Sequence, residues 1–192
     1  MGHSRDDKAK SHERIVEIAA VRMREAGTAG PGVAEIMKEA GLTHGGFYKH
    51  FSSRDQLVAE AVDAAFLDGQ RALIDSTDGA DDQLAAFVDT YASAAHRDGP
   101  GSGCGIAALA ADAARGSDAL RDAYGQRLEA FIGRIEAMLG DGDPEVRRRA
   151  VVSLSTLVGG LALARAVGAE HALSDEILED VRDAVKAQAF AG

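Results

Sequence analysis

The chain has 192 residues, 46% of them apolar, 22 glycines against 3 prolines, one cysteine and a net charge of −10. This is enough for one or two small domains with real cores. It excludes an intramolecular disulfide and suits a reducing, cytoplasmic setting. The first fourteen residues are charged and carry no apolar h-region, so they are not a secretory signal. The least charged run, 150–164, holds three Ser/Thr and two Gly and is too short and too polar to span a bilayer.

The acidity is uneven. Residues 1–60 carry nine Lys/Arg and nine Asp/Glu, while 61–192 carry twelve and twenty-two. A near-neutral N-terminal part, with four of the six histidines, precedes an acidic body. Affinity for phosphate depends on local cations rather than the total, so nucleic-acid binding by the first part stays open.

Helical periodicity runs along the whole chain. Residues 1–10 read as a flexible arm. A first helix over 11–26 shows two adjacent stripes, Ile15, Ile18 and Ala19 beside Val16, Ala20 and Met23, which suits a helix gripped by two others. Gly27, Gly30, Pro31 and Gly32 make a link. Val33, Ile36, Met37 and Ala40 give a second helix, ended by Gly41. Thr43 caps a short third helix with Phe47 and Phe51 inward and His44, Gly45, Tyr48, Lys49 and His50 outward. Ser53 with Gln56, or Ser52 with Asp55, forms a capping box for a helix over 54–74. Further helices are predicted over 82–96, 104–114, 117–139, 144–167 and 174–189, with a polar turn at 77–82 and a glycine-rich loop at 97–103. The fold class is all-α: about nine helices, a three-helix head over 1–53 and a helical body over 54–192. Two helices joined by a tight glycine turn, the second presenting a small, basic, hydrogen-bonding face, form a helix-turn-helix.

The run from Gly41 to Leu57, GLTHGGFYKHFSSRDQL, resembles the signature of TetR-type transcriptional repressors. It has the glycine turn, the hydroxyl cap, the aromatic pair, "HF", then Ser and a basic residue before an acidic one. The motif match covers about residues 12–60; the remainder agrees in length and helical character. Two positions depart from the family's habit. Gly32 stands where a Ser or Thr cap is usual, and Arg54 where Lys is frequent.

The resemblance implies a regulator that binds a palindromic double-stranded DNA operator as a homodimer and is released by a small molecule. No metal or cofactor is implied. The expected DNA contacts are Thr43, His44, Gly45, Tyr48, Lys49, His50 and Arg54, although Thr43 serves equally as a cap and His50 as a packing residue. A ligand pocket among the middle helices has Phe66, Gln70, Tyr91, His96, Cys104, Tyr124, Arg127 and Phe131 as candidates, each also readable as core or surface. The stripe Val151, Leu154, Val158, Leu161 and Arg165, with Ile177, Val181 and Val185 on the last helix, is the expected dimer surface; packing within one subunit is the other reading. Gly159 and Gly160 in the same helix would let another helix approach closely.

Cys104 follows a glycine-rich loop at a helix start, where the dipole can lower a thiol pKa, so a redox or electrophile sensor stays open beside a small buried residue. Two other classes remain. The segment GSGCG at 101–105 fits neither G-x-S-x-G nor a phosphate loop, which weakens an enzyme. A helical interaction protein would not need the basic face of the short helix.

Overall fold

The computed structural model describes residues 5–30, 32–75, 77, 79–140 and 144–190, without the side chains of residues 5, 70, 72, 144, 189 and 190. Among them are nine α-helices and no strand: α1 (Arg5–Ala26), α2 (Val33–Glu39), α3 (Arg54–Asp75), α4 (Gln83–Tyr91), α5 (Ala94–Asp98), α6 (Gly105–Arg115), α7 (Asp118–Leu139), α8 (Pro144–Val167) and α9 (Ala172–Phe190). Two short 3₁₀ helices, His44–Lys49 and Pro100–Ser102, complete the described elements.

Three local departures from the sequence expectation have physical causes. α1 begins at Arg5, so residues 5–10 of the expected flexible arm are helical. Asp6 and Asp7 in its first turn complement the helix dipole, and the Ser11 hydroxyl donates to the Asp7 carbonyl at 2.8 Å. The helix predicted over 82–96 is two helices. Ser93 takes the cap of α5, accepting the His96 N–H at 3.1 Å, and the Tyr91 carbonyl is bonded to the His96 ring at 2.8 Å. The third helix is 3₁₀ rather than α, with Gly46 N–H donating to the Thr43 carbonyl and His50 N–H to that of Phe47, both at 2.9 Å. Gly45 and Gly46 each disfavour an α-helix by about 1 kcal/mol relative to Ala, and a short 3₁₀ turn asks less of them.

The head packs Ile15, Ala19 and Met23 of α1 with Ile36 and Met37 of α2 and with Phe47 and Phe51, all essentially inaccessible. Gly41, with φ +74°, makes the turn between α2 and the short helix. Ser53 Oγ accepts the Gln56 N–H at 3.1 Å, and Gln56 Oε1 accepts from the N–H and hydroxyl of Ser52, so Ser53 is the cap of α3.

α3 packs against α1 of the head and against α4, α6 and α7 of the body, and the buried core is continuous through it. One crossing is backbone against backbone. A Cβ on Gly69 would lie 2.0 Å from the Gly103 carbonyl oxygen, and one on Gly105 2.6 Å from that of Ala65. α8 and α9 pack along one another, with Gly160 seated under Val181. The uncharged run 150–164 is thus part of a longer helix. By length and composition alone the longer helix Glu145–Val167 could cross a membrane, a test that core helices also pass. Its inner face, with Ala150, Leu154, Leu157 and Leu161, lies in the protein core.

Two glycine-to-alanine changes should therefore have opposite signs. Gly69→Ala should destabilise by about 1–3 kcal/mol, because backbone atoms must move apart. Gly125→Ala in α7, where a Cβ meets nothing within 4 Å, should stabilise by about 0.5–1 kcal/mol. Urea unfolding of both variants checks this.

Candidate nucleic-acid interface and its helical body

The short helix stands at the surface of the head because its two phenylalanines are held inside. Phe47 and Phe51 stack at 5.4 Å, and His12 stacks on Phe51 at 4.4 Å. That anchoring turns Thr43, His44, Gly45, Tyr48 and Lys49 outward, all exposed, Tyr48 to 74%. Thr43 is at the cap position, but its hydroxyl makes no cap hydrogen bond, so it is free for another partner. Gly45 has no atom near the place a Cβ would occupy, leaving the backbone open to close approach.

The two flanking candidates are more engaged. His50 is half-buried and its Nδ1 has no hydrogen-bond partner among the described residues. Burial, and then the charges of His12, Lys8 and Lys49, lowers its pKa, which favours the neutral ring. Arg54 donates to the Thr28 carbonyl at 2.9 Å, bracing the α1–α2 link while remaining exposed. Gly32 caps α2 without a hydroxyl; the Glu35 carboxylate accepts its N–H at 3.2 Å instead.

The predicted pocket residues form packed structure. Phe66 meets Tyr124 edge-on at 5.6 Å, and Phe131 meets Phe87 at 5.8 Å. The Tyr124 hydroxyl donates to the Ile106 carbonyl at 3.0 Å, and burial raises its pKa to about 12. Arg127 pairs with Asp63 on α3. The side chain of Gln70 lies outside the described ones. Among the described residues, cavities of about 740, 480 and 340 Å³ are lined by other residues. The one of about 740 Å³ is an open groove between α1 and α2, where Arg22 already pairs with Glu25 and Glu39 at 2.9 Å.

Tyr91, His96 and Cys104 form a polar knot inside the body. The Cys104 N–H donates to His96 Nε2 at 3.0 Å, which leaves Nδ1 carrying the proton toward the Tyr91 carbonyl. The tautomer is therefore set, and His96 joins the end of α4 to the start of α6. Cys104 is 1% exposed, and burial pushes its thiol pKa up. The lowering expected from the helix dipole is overridden by desolvation.

The expected dimer stripe divides. Leu154, Leu161 and Val185 are buried within the chain, Val158, Ile177 and Val181 are half-buried, and Val151 is exposed. Arg165 turns inward and donates to the carbonyls of His96 at 2.6 Å and Arg97 at 3.1 Å. The outward apolar face of α8 is instead Val152, Leu163 and Val167, with Gly159 open between them. Periodicity finds both faces of such a helix without telling inside from outside.

Some functional candidates were not singled out by the sequence. The Thr28 N–H and hydroxyl both donate to Asp112 of α6 at 2.8 Å, tying the α1–α2 link to the body. Arg24 is buried between the head and the 99–103 loop.

The His96 geometry makes stability depend on pH. Burial lowers its pKa to about 4, against 6.5 in the unfolded chain. The unfolded chain then binds the proton first, so this contribution is full above pH 6.5 and is lost as pH falls toward 4. By pH 5 the loss should be about 2 kcal/mol. Urea unfolding at pH 7 and pH 5 should show it, and His96→Gln should flatten the difference.

The chain matches a family profile described as bacterial regulatory proteins of the tetR family over residues 15–61. A second, described as the C-terminal domain of LmrA/YxaF-like transcriptional regulators, matches residues 80–179. An uncharacterised HTH-type transcriptional regulator of Mycobacterium tuberculosis is 32% identical over 170 residues, 80% of this chain and 83% of its own. A TetR transcriptional regulator from Chloroflexus aurantiacus superposes with a TM-score of 0.79 at 25% identity, covering 95% of each chain. A TetR-family regulator from Cytophaga hutchinsonii gives 0.77 at 20% identity, over 97% of this chain and 98% of that one. With its helix-turn-helix head and helical body, the chain belongs to the TetR family of DNA-binding transcriptional regulators and is not an enzyme.

Proposed function

We propose that this regulator is a ligand-released repressor that binds a palindromic operator as a homodimer in the cytoplasm. The observation that carries the DNA-contact assignment is the exposed face Thr43, His44, Tyr48 and Lys49, held outward by the buried Phe47 and Phe51. In this reading Lys49 and Arg54 meet phosphates, and Tyr48 offers its hydroxyl to the backbone or a base edge. Gly45 lets the main chain come close. A head over 1–53 is too small to specify an operator alone, and two of them would read half-sites about 34 Å apart.

Pairing is supported by the outer face of α8. Leu163 is 59% exposed and shares that face with the exposed Val152 and Val167. Gly159 among them leaves room for a partner helix at close range. The Thr28–Asp112 contact offers a route from body to head. A ligand that prefers one setting of α6 would change the spacing of the two heads and so the affinity for the operator.

Gel shifts on the intergenic DNA flanking the gene test the first part. Binding should be sequence-selective and weaken as salt rises. Lys49→Ala should lower affinity at least several-fold and make the salt dependence shallower; unchanged affinity at moderate salt would misplace the reading face. For the second part, Leu163→Glu should convert a dimer into a monomer by light scattering without loss of helical circular dichroism. A wild-type chain that is already monomeric would rule out this α8 surface as a dimer interface.

A further inference from the structure

We propose that the cavity between α1, the 99–103 loop, α6 and α8 binds a small organic anion, its carboxylate or phosphate taken by Arg24 and Arg165. The role of that anion as the effector rests on the ligand-controlled reading above. The cavity is open to solvent and has a volume of about 480 Å³, in the range of small-molecule sites. Three arginines line it, from α1, α5 and α8.

Only one of the three has its charge cancelled. Arg97 pairs with Asp98 at 2.7 Å and with Asp175 at 2.6 Å. Among the described residues, Arg24, 6% exposed, bonds only to backbone oxygens, Gly101 at 2.7 Å and Ala65 at 3.1 Å, and the half-buried Arg165 only to the carbonyls of His96 and Arg97. Neither has a carboxylate within ion-pair distance among the described residues. Asp68 and Glu25 act on Arg24 from farther away. The two acids that line the cavity are already engaged, Glu25 with Arg22 and Asp98 with Arg97.

A guanidinium has five N–H donors, and each of these two spends two of them on carbonyls. The rest remain for an acceptor, and a planar fork suits a carboxylate or phosphate. Desolvation is the main influence on both groups, lowering their pKa values while leaving them charged at neutral pH. Buried charge without a counter-ion is costly, and an anion in the cavity supplies one. The other lining residues include Pro100, Ala107, Ala108 and Ala162, small enough to leave space for an apolar ligand body. Arg24 also touches α3 and the loop, so an anion here would bear on the junction of head and body.

The test uses the full chain without DNA, with benzoate, phenyl phosphate and inorganic phosphate as probes and benzamide as the neutral control. Ionic strength is held constant with chloride. Calorimetry and thermal shift should show saturable binding of at least one anion and none of benzamide. Carboxylate against phosphate preference then identifies the ligand's head group. Arg165→Gln should weaken binding at least ten-fold. Because Arg165 also holds α5, Ala108→Leu, which narrows the cavity and leaves both arginines in place, is the second variant and should do the same. No saturable binding of any anion up to about 10 mM, equal binding of benzamide, or unchanged binding in both variants would overturn the assignment. Gel shifts separate the two claims: operator binding without anion binding refutes the site alone, and anion binding without operator binding refutes the regulator reading alone.

Discussion

The crossing of α3 over the start of α6 leaves no room for a side chain on either helix, and the rest of the molecule is arranged around it. Gly69 and Gly105 bring main chain against main chain. Arg24 closes the same junction from the head side, binding Ala65 on α3 and Gly101 in the loop. α1, α3 and the loop before α6 therefore form one unit. A helix this tightly seated cannot slide by fractions of a turn. Any change of head position must be a tilt of the whole unit or a change at its edges, where Thr28 meets Asp112.

Much of this was legible in the chain. Most helix boundaries follow from apolar spacing and from local punctuation by Gly41, Ser53, Ser117 and Pro144, since those residues act on neighbours a few positions away. What could not be read is long-range. Arg24 finds its acceptors 41 and 77 residues away, and both are backbone carbonyls, which have no sequence signature. Its place four residues after Ala20, on an apolar stripe, was the available hint. Arg165 looked like the polar end of an interface stripe for the same reason: a helix apolar on two sides gives one pattern for two environments.

The polar knot in the body shows how a burial argument displaces a local one. At the sequence level Cys104 had a helix start beside it and His96 had no assigned partner. In the fold the His96 ring takes the Cys104 N–H that the helix start leaves unpaired, so the imidazole serves as a cap supplied from another element. The desolvation that accompanies this raises the thiol pKa and favours the neutral ring. Neither outcome depends on the residue types alone; both depend on depth.

The winding of the short helix His44–Lys49 also sets a length scale. At about 2.0 Å rise per residue, the six residues His44–Lys49 extend about 10 Å from first to last, against about 7.5 Å for the same six in an α-helix. Stacked bases are spaced about 3.4 Å along a strand. Laid along a groove, the segment would pass about three base steps instead of about two. Gly45, which takes a side chain off the outward face, and Gly46 beside it are also what lets that face reach farther.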